Sequence, residues 1–338
     1  MIDLLVAGGG PVGLATALYA HRAGLSVTVA EPRVGVLDKA CGEGLMPAAV
    51  SALRDLGIEP PGLPLRGIRY TDGRRSAEAR FRTGAGIGVR RLALHRALRD
   101  QVEASQIPVI QAAVDAVQQD ERCVTAAGVE ARYLAAADGL HSPVRRLMGL
   151  DLATRGSTRF GLRRHFAVSP WTDLVEVHWS RASEAYVTPV ADDLVGIAIL
   201  TDRRGSFEEH VRSFPWLSER LPAEAATTTR GAGPLRQRSR ARASGRVLLV
   251  GDAAGYVDAL TGEGISIGLA SARALVACVV ADDPSEYDRS WRQATRRYRQ
   301  LTQTLLWARQ RRRGAEVIVS AAARMPRTFA FAVNQLAR

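Results

Sequence analysis

The first residues that could do chemistry are three glycines, Gly8, Gly10 and Gly13, which follow an apolar run that begins at Ile2. Gly8 permits a tight turn, Gly10 lets a pyrophosphate approach the backbone because it has no Cβ, and Gly13 allows a helix to pack close to a strand. A second apolar run ends at Glu31, whose carboxylate can accept both hydroxyls of an adenosine ribose. The spacing predicts a dinucleotide site in a βαβ unit, with a glycine-rich turn in an ordinary βαβ unit as the alternative.

A helix follows the glycines, and its N-terminus favours bound phosphates. Pro11 stands at the start of the helix predicted over residues 12–23, and Gly24 is the expected C-cap. The free N–H groups of the first turn and the positive end of the helix dipole attract anions. Glu31 repels a 2′-phosphate, although Arg33 partly offsets that repulsion. This stretch alone leaves NAD and FAD open as ligands.

Two later motifs distinguish between these ligands. Residues 138–145 read Asp-Gly-Leu-His-Ser-Pro-Val-Arg, and residues 251–255 read Gly-Asp-Ala-Ala-Gly at the end of an apolar strand. Together with the N-terminal glycines, they resemble the three fingerprints of the FAD-dependent aromatic-hydroxylase fold. That superfamily includes group A flavin monooxygenases, flavin-dependent halogenases and geranylgeranyl reductases. The resemblance spans about residues 2–280 and implies that the cofactor is FAD.

The resemblance also assigns roles to single residues. Asp252 is expected to bind a ribityl hydroxyl, and the N–H groups of Gly264 and Ile265 to hold the N1–C2=O edge of the flavin ring. Arg91 is expected to lie along FAD, and Val114 to contact the adenine side through its backbone. The full set of expected FAD contacts is Gly8, Gly10, Pro11, Val12, Gly13, Glu31, Pro32, Arg33, Cys41, Gly42, Arg91, Val114, Asp138, Gly139, Gly251, Asp252, Gly262, Gly264 and Ile265.

Asp138 has two interpretations. In the family this acid lies near the pyrophosphate and helps to shape the site of the reductant. Alternatively, Asp138 and Ser142 cap a turn and the helix that follows it. A second glycine fingerprint is missing from the sequence. NADH or NADPH remains the expected reductant, because this family binds it without a second nucleotide domain.

Two segments favour one branch of the superfamily. Cys41–Gly44, and Ala185–Pro189 followed by Val195–Ile197, look closer to geranylgeranyl reductases than to phenol hydroxylases. Tyr186 and Pro189 match that branch's substrate motif, whereas its tryptophan–phenylalanine element is missing. The WxWxIP stretch of halogenases, with its catalytic lysine, is also missing from the sequence. Halogenation is therefore not expected.

Substrate contacts are expected from residues 155–235, which predict an antiparallel sheet facing the flavin. Arg163 and His165 share a face of their strand because strand side chains alternate, whereas His178 points away from its neighbour Trp179. A satisfied core or surface residue is the alternative for each histidine. The candidates for catalysis are Cys41, Arg163, His165, His178 and Tyr186.

The three cysteines, Cys41, Cys123 and Cys278, are far apart and odd in number. This pattern indicates free thiols and a reducing, cytoplasmic compartment. Beside a flavin, Cys41 would be redox-active or would shield an intermediate; the alternative is a small residue packed in a glycine loop. No metal-ligand spacing is present.

The patterns predict an α/β fold with a Rossmann-type FAD-binding domain, an inserted antiparallel-sheet substrate domain and C-terminal helices. A single strand is expected over Val109–Ala116, and helices over 285–313 and 315–337. The expected domain bounds are 1–66, 84–154 and 240–285 for the FAD-binding domain, 67–83 and 155–239 for the substrate domain, and 286–338 for the C-terminal helical region.

The 338 residues carry a formal charge of +12, almost all of it from arginine, since Lys39 is the only lysine. Codon bias is one interpretation of this charge and an anionic partner is the other, and no nucleic-acid-binding signature is present. No apolar stretch reaches 18 residues and the N-terminus lacks a basic leader, so neither a transmembrane span nor a signal peptide is predicted. The arginines of the helix expected over 285–313 have two interpretations. They form a solvated face, or they contact a membrane surface peripherally.

Three functions follow from these observations. The first is an NAD(P)H-using monooxygenase that hydroxylates an aromatic or polyketide-like molecule of secondary metabolism through a flavin C4a-hydroperoxide. The second is an FAD-dependent reductase of an isoprenoid or another alkene. The third is a flavin-binding protein without turnover. Oxygen uptake coupled to substrate would favour the first, and anaerobic saturation of substrate the second.

Overall fold

A computed structural model describes residues 1–154, 158–311 and 314–337. The start of the expected 155–239 segment, the end of the helix expected over 285–313 and residue 338 fall outside the described residues. No helix among the described residues is both long and apolar enough to cross a membrane.

The chain alternates strands and helices in its first third, then forms a run of long strands, and ends in helices. The strands are β1 (Ile2–Ala7), β2 (Val27–Ala30), β3 (Gly44–Leu45), β4 (Leu63–Leu65), β5 (Gly67–Thr71), β6 (Ser76–Arg80), β7 (Gly86–Gly88), β8 (Val109–Ile110), β9 (Val117–Gln119), β10 (Val124–Ala126), β11 (Val129–Ala136), β12 (Asp151–Leu152), β13 (Phe160–Ala167), β14 (Val175–Trp179), β15 (Ser183–Ala191), β16 (Leu194–Thr201), β17 (Arg230–Ala232), β18 (Arg238–Ser239), β19 (Ala243–Ser244) and β20 (Val247–Leu249). The helices are α1 (Pro11–Arg22), α2 (Pro47–Asp55), α3 (Arg91–Ala104), α4 (Pro143–Leu147), α5 (Phe207–Val211), α6 (Pro215–Arg220), α7 (Gly264–Val280), α8 (Tyr287–Arg309), α9 (Gly314–Arg324) and α10 (Pro326–Leu336).

The first sheet is mainly parallel, and its central strands are buried on both faces. Its strands lie in the order β19-β20-β11-β1-β2-β8, with β9 and β10 forming a meander beside β11. Strand β1 pairs in parallel with β2 and β11, so that Val6 lies between Val29 and Ala135. Helices α1, α3 and α7 cover the sheet with apolar side chains. The carboxyl ends of β1, β11 and β20 therefore meet at one edge, where parallel sheets bind ligands.

The second sheet has seven strands in the order β17-β13-β16-β15-β14-β5-β6. All of its pairs are antiparallel except β14 with β5, which run in parallel because the β5–β6 hairpin joins the sheet from an earlier part of the chain. One face, including Val177 and Leu200, packs towards the C-terminal helices. The other, including Val187 and Ile197, packs against α5 and α6. The mixed α/β fold with an inserted, largely antiparallel sheet is confirmed.

One element prediction is wrong: the strand expected over Val109–Ala116 covers only β8, and its continuation lies outside the sheet. The region expected to be helical over 315–337 is helical, and it is divided into α9 and α10. Pro326 causes the division, because proline has no N–H to donate and its ring clashes with the preceding helical turn. The two shorter helices pack on β6, at the edge of the second sheet.

Candidate cofactor and substrate site

Close backbone contacts shape the glycine turn at the end of β1. Gly8 has φ +106°, and a Cβ there would stand 2.7 Å from the Ala137 carbonyl oxygen. A Cβ at Gly13 would stand 1.8 Å from the Gly8 carbonyl oxygen. By contrast, no atom lies within 4 Å of a Cβ placed on Gly10, which lines a large cavity. Two glycines thus serve the turn itself, and the third leaves room for a ligand.

The Glu31 carboxylate closes this turn. Its Oε2 accepts a hydrogen bond from the Gly9 N–H at 2.8 Å, and its Oε1 accepts from Nε of Arg33 at 2.7 Å. Burial acts to raise the pKa of Glu31, but the hydrogen bonds from Arg33 and Gly9 outweigh it and lower the pKa. The carboxylate is therefore ionised and lies where the sequence predicts a ribose acceptor.

A histidine that the sequence analysis missed, His95 on α3, supports the same turn. Its Nδ1 accepts from the Leu37 N–H at 3.2 Å, so its Nε2 carries the proton and donates to the Gly9 carbonyl at 2.7 Å. Burial lowers the pKa of His95, which keeps the ring neutral as these two bonds require. His95 lies one helical turn after Arg91 on α3, and this spacing was the sequence signal that could have placed it near the same site.

Two cations line the cavity beside the open glycine. Arg91 is buried, and its Nε has no hydrogen-bond partner. Lys39 lines the same cavity, and no described residue accepts a hydrogen bond from its Nζ. Burial, and then the charges of Arg33 and Arg91, lower the pKa of Lys39. Unpartnered cations beside exposed backbone fit the pyrophosphate of a dinucleotide, because such groups are costly to bury without an anion.

Acids follow the cations along the cavity. Burial raises the pKa of Asp252, while Lys39 and Arg91 oppose the shift. The Asp138 carboxylate accepts from the Val144 N–H at 2.9 Å through Oδ2, whereas its buried Oδ1 has no partner. Ser142 caps the N-terminus of α4, so the capping interpretation holds for Ser142. The unpartnered oxygen leaves Asp138 free to bind a ligand as well.

The whole cavity has a volume of about 710 Å³ and reaches from the glycine turn to Leu336 on α10. Among the described residues of the seven-stranded sheet that line it, Arg163 is the only charged one. The sheet contributes mainly apolar and aromatic side chains to this wall, namely Ile68, Tyr70, Phe160, Leu162, Val175, Val177, Tyr186, Ala198 and Leu200. One end of the cavity is therefore polar and charged, and the other is largely apolar.

The loop before α2 is fixed to this sheet by buried polar contacts. His165 Nε2 and Glu43 Oε2 are 2.6 Å apart, and Arg163 pairs with Asp38. Thr188 donates to the Gly42 carbonyl at 2.8 Å. Glu43 was not among the predicted site residues, although it lies in the quoted glycine loop. These contacts hold the loop between the polar and apolar ends of the cavity.

The catalytic candidates occupy different places. Cys41 and Arg163 line the cavity, and Tyr186 lines it while donating to the Leu260 carbonyl at 2.8 Å. His165 lies behind Arg163 and is 1% exposed. His178 lies on the opposite face of the sheet, where its ring is 4.3 Å from that of Trp216. The structure therefore gives His178 no access to the cavity.

Most of the predicted cofactor residues converge on the cavity. Pro11, Val12, Gly42, Asp138, Gly139, Gly262, Gly264 and Ile265 line it with Gly10, Arg91 and Asp252. Gly251 lines an adjoining cavity. Val114 packs, partly buried, against the core and does not line the main cavity. Pro32 and Arg33 follow Glu31 outside the lining, with Arg33 paired to Glu31. No group of His, Cys, Asp and Glu that could hold a metal ion occurs in the described part of the chain.

Comparison with known proteins gives a family and several relatives. Residues 91–281, more than half of the chain, match the family described as FAD binding domain. A menaquinone reductase of Mycobacterium tuberculosis is 29% identical over 80% of this chain and 74% of its own length. Digeranylgeranylglycerophospholipid reductase 1 of Methanothermobacter thermautotrophicus is 28% identical over 79% of this chain and 74% of its own length.

Solved structures share the fold at lower identity. The flavin-dependent brominase Bmp2 superposes with a TM-score of 0.85 at 15% identity, over 100% of this chain and 94% of that one. The p-nitrophenol 4-monooxygenase PnpA of Pseudomonas putida gives 0.79 at 21% identity, over 99% and 98%. The halogenase CmlS gives 0.77 at 20% identity over 91% of this chain, which spans only 64% of the length of CmlS. At these identities, the likeness shows the fold.

Proposed function

Because the chain belongs to the FAD binding domain family, we propose that this FAD-dependent oxidoreductase reduces a carbon–carbon double bond in an isoprenoid or a similarly apolar alkene. Hydroxylation was the first hypothesis from the sequence. The names of the two reductase relatives and the character of the cavity support reduction instead.

The observation that carries the proposal is the apolar wall of the cavity. The sheet offers a substrate hydrocarbon side chains such as Val175, Val177 and Leu200, and the charged Arg163, which also lines the cavity from this sheet, is paired with Asp38. Burying a long hydrocarbon against this wall gains about 25 cal/mol for each Å² removed from water. A phenol or a polar polyketide would leave its polar groups without partners along most of the wall.

The polar end of the cavity fits FAD. Gly10 offers open backbone, Lys39 and Arg91 offer cations to the pyrophosphate, and Asp252 offers an acceptor to a hydroxyl group. The Glu31 carboxylate lies beside the glycine turn, where it accepts from the Gly9 N–H. FAD bound there would supply the hydride chemistry of the reaction, with NADH or NADPH as its reductant. The side chains around it position the cofactor and exclude water from the apolar end.

Reduction of an alkene also requires a proton, and several side chains that line the cavity carry one. Burial raises the pKa of the Cys41 thiol, so its Sγ keeps the proton near neutral pH. Burial likewise raises the pKa of the Tyr70 and Tyr256 hydroxyls. We assign proton donation to Cys41 Sγ, because Cys41 lines the same cavity as the cofactor residue Arg91 and the apolar wall, and the charge of Arg91 acts on its thiol.

A specific observation keeps the monooxygenase as the second candidate. Tyr70 and Tyr256 line the cavity, and no described residue is a hydrogen-bond partner of either hydroxyl. Both hydroxyls would stay protonated and could donate to the oxygen of an aromatic substrate. The polar contacts of such a substrate would then be concentrated at these two positions.

Product mass separates the two reactions. The FAD-loaded protein would be incubated with NADPH or NADH and a polyprenyl alkene, in air and without oxygen, and the products weighed by mass spectrometry. Reduction adds two hydrogen atoms with or without oxygen, whereas hydroxylation adds one oxygen atom and stops without it. Oxidation of the nicotinamide nucleotide with no altered product from alkenes or aromatic substrates would indicate a flavin-binding protein without this turnover.

A contact with a lipid surface would supply such a substrate. The C-terminal helices expose Trp307, Val317, Met325 and Phe331, which are 52–64% exposed, beside arginines including Arg311 and Arg324. We therefore keep peripheral membrane contact as part of the proposal. The free cysteines fit a reducing, cytoplasmic compartment. The protein should float with anionic vesicles but not with neutral ones. If it floats with neither, the proposed membrane contact is wrong.

A further inference from the structure

A second, smaller cavity adjoins the cofactor site and belongs to none of the functions described above. Its volume is about 230 Å³, roughly a third of that of the main cavity. The two cavities share Asp252, Tyr256 and Gly264 in their linings. We call it the arginine cavity, because its lining includes Arg236, Arg238, Arg242 and Arg299.

The charges of the arginine cavity are not balanced. Asp258 lines it, but that carboxylate is already paired with Arg159 at 3.0 Å. Arg242 reaches Asp288 only at 3.7 Å, and Arg299 has no ion pair within the described ranges. Burial, with opposition from Asp288, lowers the pKa of Arg242, and burial also lowers the pKa of Arg299. Both shifts mark an environment that is unfavourable for the cations as they stand.

The arginine cavity contains buried hydrogen-bond donors that have no partner, which distinguishes it from an ordinary charged surface. Trp291 lines the cavity, is 2% exposed, and its buried Nε1 has no hydrogen-bond partner. The Nε of Arg242 is also buried and unpartnered. The guanidinium carbons of Arg242 and Arg299 lie 4.2 and 4.8 Å from the centroid of the Trp291 ring, which fixes both side chains. A buried donor without a partner is unfavourable, so a bound acceptor would relieve that cost.

We propose that the arginine cavity binds a phosphate or diphosphate group. Guanidinium groups bind phosphate oxygens through two parallel hydrogen bonds, and the indole N–H adds a further donor. The small volume suits a terminal group better than a complete dinucleotide. The anion could be the 2′-phosphate of NADPH, the diphosphate of a polyprenyl substrate or free phosphate, since all three share this chemistry.

The test measures binding to protein saturated with FAD, so that pyrophosphate cannot enter the cofactor site. Isothermal titration with sodium pyrophosphate, at ionic strength held constant with sodium chloride, should give a saturable signal. Arg299→Gln and Trp291→Phe should each weaken that affinity about tenfold or more, whereas Arg296→Gln, on the exposed face of α8, should leave it unchanged. The Trp291 variant guards against a folding defect from the loss of a charge.

Further arms identify the source of the anion. Weaker binding of NADPH but not NADH by Arg299→Gln would assign the site to the reductant. Weaker binding of a polyprenyl diphosphate but not of the polyprenol would assign it to the substrate, and an effect on pyrophosphate alone would assign it to free phosphate. No saturable pyrophosphate binding by the wild-type protein, or an equal loss in Arg296→Gln, would overturn the proposal. None of these results depends on turnover, so they are independent of the proposed reaction.

Discussion

The two ends of the main cavity are built on different principles. The cofactor end is made by backbone turns and charged side chains at the ends of parallel strands, where Gly8 and Gly13 have no space for a side chain. The substrate end is made by side chains on one face of an antiparallel sheet, such as Val177 and Ala198. A turn with no free space tolerates no change, whereas an apolar wall tolerates change and thereby sets specificity. Substitutions at the two ends should therefore fail in different ways.

The largest effect is expected from Gly13→Ala. Its Cβ would meet the Gly8 carbonyl oxygen at 1.8 Å, so the turn must open and FAD binding should be lost. Gly10→Ala is the matched variant, because no protein atom lies within 4 Å of its added Cβ. It should unfold like the wild type, within about 0.5 kcal/mol, but bind FAD about tenfold or more weakly. Fluorescence titration measures the FAD affinity, and thermal unfolding measures the stability. Normal FAD affinity in Gly10→Ala would contradict the proposal that Gly10 leaves room for FAD.

Cys41 should give the next largest effect, on turnover rather than on binding. Cys41→Ala removes the proposed proton on Sγ and should lower kcat for alkene reduction about 100-fold, a usual size for loss of a general acid. FAD affinity and the rate of flavin reduction by the nicotinamide nucleotide should remain near the wild-type values. Cys41→Ser should recover part of the rate, since its hydroxyl also carries a proton. Unchanged turnover in Cys41→Ala would identify Cys41 as a packing residue, the alternative interpretation.

At the substrate end, Val177→Phe should lower kcat/KM for a long isoprenoid about tenfold, because the larger side chain occupies space in the cavity. Its FAD content should stay unchanged. Val280→Phe, at an exposed position 55% accessible at the end of α7, is the control for a Val-to-Phe change. A loss of FAD in Val177→Phe would show that the substrate end and the cofactor end of the cavity are not independent.

The smallest effect concerns Glu263, which precedes α7. Burial, opposed by Ser266 and Arg297, raises the pKa of Glu263 to about 8. A carboxyl with a raised folded-state pKa stabilises the fold fully below its unfolded pKa, and that contribution is lost as the pH rises towards 8. Glu263→Gln should therefore match the wild type near pH 4 and be more stable at pH 8, by on the order of 3 kcal/mol. Thermal unfolding at the two pH values measures this, and a destabilised variant at pH 8 would contradict it.

The glycine turn of the cofactor end could be predicted from the sequence because its spacing is fixed within one βαβ unit. The need for glycine at Gly13 and for an acid at Glu31 follows from that geometry. The same motif identified Gly8, although the carbonyl that excludes a side chain there belongs to Ala137, far along the chain. The alternating pattern around Val177 and Tyr186 likewise predicted the antiparallel sheet. These are short-range signals that composition and spacing carry directly.

The remaining features depend on contacts between distant parts of the chain. The pairing of Glu43 with His165 joins residues 122 positions apart, and no spacing rule predicts it. The face on which His178 lies depends on which side of the sheet is covered by α5 and α6. The arginine cavity brings Arg242 beside Arg299 through packing around Trp291. The sequence pattern identified an arginine-rich helix but not the position of its side chains.

The most direct test follows the reaction in the absence of oxygen. The flavin of the purified holoprotein would be reduced anaerobically with dithionite, and its absorbance near 450 nm followed by stopped flow after mixing with a polyprenyl alkene. We expect the alkene to reoxidise the flavin, at a rate that rises with alkene concentration, and a saturated product to form. A flavin that stays reduced with every alkene, and is reoxidised only when oxygen is admitted with an aromatic substrate, would contradict this expectation and establish the hydroxylase instead.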